Sequence, residues 1–152
     1  MFIDTPIFAI DLLYPWDVNY QVNRRFIELQ IRPRYTSIIN VLETCGLASF
    51  NLTGRELDKL FYGFSHKYDV QILWPTGIED MSPTQAIRSI IAQIYSHITQ
   101  KMSFADALIL SIAESHGLST FITWNKRHFE GKTAMQVFTP AEYLAEQLKT
   151  RR

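Results

Sequence analysis

Hydrophobic and polar positions along the chain alternate between the period typical of strands and the period typical of helices. Short runs of apolar, β-branched and aromatic residues predict strands at residues 2–3, 35–37, 70–74, 120–123 and 135–138. Between them, apolar residues three and four apart predict helices, including one over 17–30 and others behind caps at Thr53, Ser82, Ser103 and Thr139. This alternation predicts one α/β domain, residues 1–152, with a mostly parallel sheet.

Residues 103–129 contain the clearest order of elements, which is a capped helix, a tight turn and a buried strand. Ser103 is a good N-cap, and we expect the carboxylate of Asp106 to reach back to the free N–H groups of the first helical turn. Gly117 suits the left-handed position that ends a helix, and the next strand ends at Asn125. In a parallel sheet, the start of this helix and the end of this strand lie at one edge, so Asp106 and Asn125 are expected there together.

Two further acids, Asp4 and Glu43, each have two possible roles that the hydrophobic pattern does not distinguish. Asp4 directly follows the first strand, where it is either the N-cap of a helix with Pro6 in its first turn or a polar residue at the same sheet edge. Glu43 lies among apolar neighbours in a helix that is predicted to begin at Ile38 and end at Gly46, and it either faces solvent or points into a cleft. Periodicity does not decide between these interpretations.

Composition narrows the class of protein. With 152 residues, 47% of them hydrophobic, the chain suits one compact domain with its own core. A formal net charge of +0 gives no overall attraction to nucleic acid, so any polyanion must bind to a local patch. The single cysteine, Cys45, excludes an internal disulfide, and residues 1–10 lack a basic region, so we expect a cytoplasmic protein without a signal peptide or membrane span.

Most catalytic motifs are absent from the sequence. It has no glycine-rich phosphate loop, no nucleophile elbow and no zinc-protease motif, and its four histidines lack zinc-ligand spacing. Carboxylates remain, namely Asp4, Glu43 and Asp106. Brought together, they would form an oxygen-only site of the kind that Mg²⁺ or Mn²⁺ prefers, and such ions act on phosphodiesters.

Several short segments, taken in order, resemble the signatures of the PIN-domain family. They are Ile3-Asp4-Thr5, Glu43 within residues 41–46 (VLETCG), Asp106 within residues 104–110 (FADALIL), Thr123-Trp124-Asn125 followed by His128-Phe129, and residues 138–144 (FTPAEYL). The resemblance extends over nearly the whole chain. It implies a single-domain, Rossmann-like three-layer α/β/α fold with a mostly parallel sheet.

The same resemblance implies an Mg²⁺- or Mn²⁺-dependent endoribonuclease in which Asp4, Glu43 and Asp106 bind the metal. Members of the VapC-like branch are toxins of toxin–antitoxin pairs, so the resemblance also implies RNA as the substrate, a cognate antitoxin and a homodimer. Asn125 takes the fourth position, where the family often has an aspartate, and Thr123 beside it takes a supporting role. Because an amide adds no negative charge, this departure would weaken the binding of the metal.

The sequence also offers two candidate contacts for RNA and two alternatives to the nuclease function. Lys126 and Arg127 follow the predicted site and are candidates for contacts with RNA phosphates, or else belong to a solvated loop. The amide of Asn125 leaves open a PIN-like module that binds RNA or protein without cleaving it. A phosphoacceptor receiver domain also places acids around Mg²⁺ on a parallel sheet, but it needs paired acids after the first strand, and Asp4 has no acidic neighbour.

Overall fold

A five-stranded parallel sheet forms the centre of the structure, a computed structural model that describes residues 1–150. The strands are β1 (Phe2–Ile3), β2 (Tyr35–Ser37), β3 (Gln71–Leu73), β4 (Thr120–Ile122) and β5 (Gln136–Phe138). They lie in the order β3-β2-β1-β4-β5, and every neighbouring pair is parallel. The winding changes direction between β1 and β4, which is the switch point where open α/β sheets bind ligands.

Helices cover both faces of this sheet. Within residues 1–150 they are α1 (Thr5–Leu13), α2 (Tyr20–Ile27), α3 (Ile38–Ala48), α4 (Gly54–Tyr68), α5 (Pro83–Ile98), α6 (Phe104–Ser115), α7 (Lys126–Phe129) and α8 (Pro140–Thr150). No helix in this part of the chain has the length and apolar character needed to cross a membrane.

The pleat of the two central strands divides the core into two layers. Phe2 and Phe121 are register partners whose ring centroids lie 5.0 Å apart, and they pack with residues of α5 and α6. Ile3 and Ile122, the next pair, pack with residues of α1, α3 and α4. Because successive side chains of a strand point to opposite faces, this division gives the three-layer α/β/α fold that the resemblance implied.

The hydrophobic pattern predicted the strand ends to within one residue, except that β4 ends at Ile122 and does not continue to Asn125. Two predicted helix starts are confirmed in detail: Thr53 with Glu56, and Ser82 with Gln85, each form a reciprocal capping box. Gly117 has a φ of 65° after α6, as its role at a helix end requires.

Two predicted helix boundaries are wrong. The helix predicted over residues 17–30 is shorter, since α2 begins at Tyr20 and ends at Ile27. The helix carrying Glu43 does not end at Gly46 but continues to Ala48, which is fully buried in the core. A single glycine costs a helix only about 1 kcal/mol, and the burial of this last turn offsets that cost.

Candidate active site

Asp4 lies at the carboxyl end of β1 and is only 3% exposed. Its Oδ1 accepts hydrogen bonds from the backbone N–H of Thr5 at 2.8 Å and from Nδ2 of Asn40 at 3.0 Å. Its Oδ2 accepts one from the hydroxyl of Thr123 at 2.7 Å. The bond from Thr5 also makes Asp4 the N-cap of α1, so the two roles considered for this residue occur together. The cap fixes the carboxylate at the switch point of the sheet.

The charge of this carboxylate is poorly compensated. Burial raises the pKa of Asp4 from 3.8 to about 7, although the hydrogen bonds from Thr123 and Thr5 act in the opposite direction. The negative charges of Glu43 and Asp106 raise this pKa further. The folded protein therefore disfavours the ionised form of Asp4 unless a cation lies nearby.

Glu43 points towards Asp4 from α3. Its Oε2 accepts a hydrogen bond of 2.6 Å from the hydroxyl of Thr5, and the same hydroxyl accepts one of 2.9 Å from Nδ2 of Asn40. Burial, followed by the charge of Asp106, raises the pKa of Glu43, while the bond from Thr5 lowers it. Thr5 and Asn40 thus connect the two carboxylates, and Glu43 occupies a cleft rather than facing solvent.

Asp106 lies in the first turn of α6, behind its N-cap Ser103. The Ser103 hydroxyl accepts a hydrogen bond of 3.2 Å from the backbone N–H of Asp106, as a cap should. The expectation that the Asp106 carboxylate reaches back to the first turn is wrong. Its Oδ2 lies 3.1 Å from Nδ1 of His128, because α7 brings this histidine against the start of α6. The carboxylate is therefore free of the capping role.

Asp4, Glu43 and Asp106 line one cleft of about 610 Å³. Asn125 lines it as well, and so does Asp17, whose Oδ1 accepts a hydrogen bond from the backbone N–H of Asn19. The described residues that line this cleft include no lysine or arginine. The structure thus brings the predicted acids to a single negative cleft, which we call the acidic cleft.

The chemistry of the acidic cleft fits a divalent metal. No group of three or more His, Cys, Asp or Glu side chains within residues 1–150 is arranged to hold a metal ion as it stands. Mg²⁺, however, keeps several water ligands and is commonly held by one or two carboxylates. Ligands of this kind are present, since Asp4, Glu43 and Asp106 offer carboxylate oxygens whose charges repel one another.

Thr123 and Asn125 extend this network beyond β4. The Thr123 hydroxyl accepts a hydrogen bond of 2.9 Å from the backbone N–H of Asn125 and donates its own to Asp4. The Asn125 side chain makes no capping bond to α7 and lies at the exposed wall of the acidic cleft. Thr123 therefore positions Asp4, while the Asn125 amide remains available to a ligand.

The two predicted phosphate contacts differ in their surroundings. Lys126 Nζ lies 2.9 Å from Glu142 and 3.3 Å from Glu130, so its charge is already compensated. Arg127 is exposed and lines a second cleft that shares Asp106 with the acidic cleft.

Sequence reasoning missed Asn40 and Asp17. The available signal for Asn40 was its position three residues after Ser37, because the two residues form a capping box at the start of α3. Its further bond to Asp4 joins residues 36 positions apart, and no local pattern shows that. The sequence placed Asp17 at the start of a helix. It lines the acidic cleft only because the folded chain brings it there, and no local pattern predicts that.

Comparisons with known proteins identify the fold. No protein-family model matches the sequence, and no curated protein matches it. Three solved structures contain a chain of similar fold. A chain of FitAB bound to a DNA fragment has a TM-score of 0.58 and 21% sequence identity, and the match covers 91% of this chain and 94% of that chain. For VapBC-1 from nontypeable Haemophilus influenzae and FitAcB from Neisseria gonorrhoeae, the TM-score is 0.61, the identities are 16% and 19%, and each match covers 92% of this chain and 97% of the other. VapBC and FitAB are toxin–antitoxin complexes whose toxin chain is a PIN domain.

The chain has the PIN-domain fold. At these identities the similarity concerns the fold alone. The strand order of this PIN fold also differs from the 2-1-3-4-5 order of flavodoxin-like sheets, to which receiver domains belong. The receiver alternative is therefore disfavoured.

Proposed function

We propose that this protein is an Mg²⁺- or Mn²⁺-dependent endoribonuclease and the toxin of a toxin–antitoxin pair. One observation carries the proposal: Asp4, Glu43 and Asp106, from three distant segments, line a single cleft at the switch point of a PIN fold. Such a cleft repels RNA phosphates unless a cation lies between them. The proposed substrate, an RNA phosphodiester, thus requires the proposed metal.

Asp4, Glu43 and Asp106 would hold the cation. When bound, the ion would supply positive charge that orients a phosphodiester and acidifies a water molecule. The chain itself fixes its ligands beforehand, since both oxygens of Asp4 accept hydrogen bonds and Thr5 holds Glu43. Nδ1 of His128 lies 3.1 Å from Oδ2 of Asp106, so the imidazole holds the orientation of the third carboxylate.

Exposed apolar side chains beside the acidic cleft support a protein partner. Tyr14, Leu47 and Phe50 line the cleft, and Phe50 is 87% exposed. An antitoxin segment that covers these residues would also block the cleft, because the two surfaces are continuous. The toxin–antitoxin complexes with the same fold agree with such a partner. The cytoplasmic location expected from the sequence and the single domain over residues 1–152 stay predictions.

A second candidate function rests on Asn125. The family position that often carries an acid is occupied here by an exposed amide, which contributes no charge to a cation. This observation favours a PIN-like module that binds RNA or protein without cleaving it.

Cleavage of a mixed RNA pool separates the two functions. Purified protein is incubated with Mg²⁺ or Mn²⁺, with EDTA, and as the Asp106→Asn variant, while Asp58→Asn on the exposed surface of α4 serves as a matched control. We expect cleavage that needs the metal, is lost in Asp106→Asn and persists in Asp58→Asn. Folded protein that cleaves with neither metal would contradict the nuclease and leave the binding module.

A further inference from the structure

A second cleft, about 260 Å³ in volume, adjoins the acidic cleft and has the opposite charge. Lys101, Arg127, His128 and Lys132 contribute to its lining. We call it the basic cleft. Asp106 belongs to the walls of both clefts, so they are neighbours across one side chain. A ligand that extends beyond the acidic cleft past Asp106 therefore enters a positive environment.

Lys101, Arg127 and Lys132 make no ion pair within residues 1–150, whereas His128 lies 3.1 Å from Asp106. The side chains of Lys101 and Arg127 make no hydrogen bond or ion pair within residues 1–150, and both residues are exposed. Lys132 donates only to a carbonyl oxygen, that of Lys101, at 3.1 Å. Lys126, next to Arg127 in sequence, shows the contrast because two glutamates neutralise it. The local excess of positive charge stands out on a chain whose net charge is +0.

The backbone places these cations together from separate segments. Lys101 ends the turn after α5 with a φ of 62°, a left-handed conformation that is uncommon for lysine. The bond from Lys132 to the Lys101 carbonyl ties that turn to the segment after α7, and α7 itself carries Arg127. The cleft is thus assembled by tertiary contacts and is not a run of basic residues in a single loop.

We propose that the basic cleft binds backbone phosphates of the RNA strand, next to the phosphodiester that the acidic cleft receives. The inference rests on the proposed function for the identity of the ligand. Lys101 and Arg127 supply unpaired charge, and the planar guanidinium of Arg127 suits two phosphate oxygens at once. Such contacts position a strand without reading its sequence. Through these contacts the basic cleft determines which phosphodiester of the RNA lies at Asp4, Glu43 and Asp106.

RNA binding tests the proposal without depending on cleavage. The probe is a short fluorescent single-stranded 2′-O-methyl RNA of mixed sequence, measured by anisotropy in Mg²⁺ over a range of NaCl concentrations, with its intact length checked on a gel. The Lys101→Ala/Arg127→Ala double variant is compared with Arg55→Ala/Lys59→Ala, which removes two exposed cations of α4. Circular dichroism and thermal melting confirm that both variants are folded.

We expect the double variant to bind more weakly and to lower the slope of log affinity against log salt by about 1.4, which is roughly 0.7 for each lost phosphate contact. The α4 control should leave affinity and slope unchanged, and a Lys101→Ala/Arg127→Lys variant should keep most of the slope that Arg127 contributes. Equal binding by the two double variants would overturn the proposal. The proposal would also be overturned if the Lys101→Ala/Arg127→Ala variant bound RNA like the wild type but no longer bound a poly-glutamate probe. That result would identify an acidic protein as the partner of the basic cleft. Normal binding without cleavage would reject the nuclease alone and leave the basic cleft in place.

Discussion

At the scale of single residues, Asp4 combines a structural and a chemical role. As the N-cap of α1 it stabilises a helix, whereas its burial beside Glu43 and Asp106 makes its ionised form unfavourable. A buried charge without a partner costs stability, and a binding site is a common reason to retain one. If the acidic cleft binds the proposed cation, Asp4 therefore lowers the stability of the metal-free protein and raises the affinity for that cation.

Replacing Asp4 with asparagine should make the metal-free protein more stable near neutral pH. The pKa of Asp4 is raised in the folded state from 3.8 to about 7, so its protonated form stabilises the fold fully below 3.8, and this contribution is lost as pH rises through about 7. The free energy of unfolding of the wild type should thus fall across this window by up to about 1.4 kcal/mol per pH unit. In Asp4→Asn this slope should be smaller, because an amide does not titrate.

Urea denaturation in EDTA at several pH values measures this difference. Asparagine can still accept the bonds from Thr5 and Asn40 through its Oδ1, and its Nδ2 can donate to the Thr123 hydroxyl. Asp58→Asn, exposed on α4, is the matched control and should keep the slope of the wild type. Identical slopes for the wild type and Asp4→Asn would refute the assignment.

The sequence identified the acids of the site better than it identified their partners. Asp4 follows a strand and Asp106 lies in the first turn of a helix, and local pattern reveals such positions. Glu43 lies inside α3, so only the family resemblance singled it out. The contact of Asp106 with His128 and the bridge through Asn40 depend on side chains from other elements. These contacts form only when distant elements pack together, and the periodic pattern of the sequence does not show which elements become neighbours.

At the scale of elements, α5 presents an apolar face that the fold leaves uncovered. Its isoleucines predict an amphipathic helix, and Ile94 does lie in the core. Ile87 and Ile91 are each 58% exposed and Tyr95 is 66% exposed, at intervals of four residues that align them along the helix. Periodicity shows that such a stripe is apolar but not whether the same chain covers it.

A charge in this stripe should dissociate the homodimer that the family resemblance implies. Burying an isoleucine is worth about 1.5–3 kcal/mol, so Ile91→Lys in both copies should weaken a dimer that uses this face roughly a hundredfold or more. Light scattering after gel filtration measures the mass over a range of concentrations. Ser96→Lys, on another exposed side of α5, is the control and should remain dimeric. A wild type that is monomeric throughout, or an Ile91→Lys variant that stays dimeric, would exclude this face as the dimer interface.

At the scale of the whole molecule, neutral composition conceals two clefts of opposite charge. Fifteen basic and fifteen acidic residues cancel, yet the acidic cleft has no lysine or arginine in its lining and the basic cleft gathers three. The net charge does not reveal this separation, and the binding of a polyanion to a local patch stays a prediction. The separation of charge arises from the fold, since Lys101, Arg127 and Asp106 belong to different elements.

Binding of Mn²⁺ to the acidic cleft should stabilise the entire fold. A ligand at a hundredfold excess over its Kd adds about 2.7 kcal/mol, and this would raise the Tm of a domain of this size by about 5–10 °C. Asp106→Asn should reduce the shift, whereas Asn125→Asp should increase it by adding a charge to the exposed wall of the cleft. Differential scanning fluorimetry with Mn²⁺ and with EDTA measures all three proteins. Equal shifts in the wild type and Asp106→Asn would place the ion elsewhere.

The bond between the Thr123 hydroxyl and Asp4 joins residues 119 positions apart. A ribosome adds about 5–20 residues per second, so Asp4 is made roughly 6–24 s before its partner. During that interval the nascent chain contains Asp4 but not β4 or Thr123, whose hydroxyl donates to the Asp4 carboxylate. Translation products that stop before β4 also lack Thr123 and cannot complete the hydrogen bonds around Asp4, so this arrangement forms only after most of the chain has been synthesised.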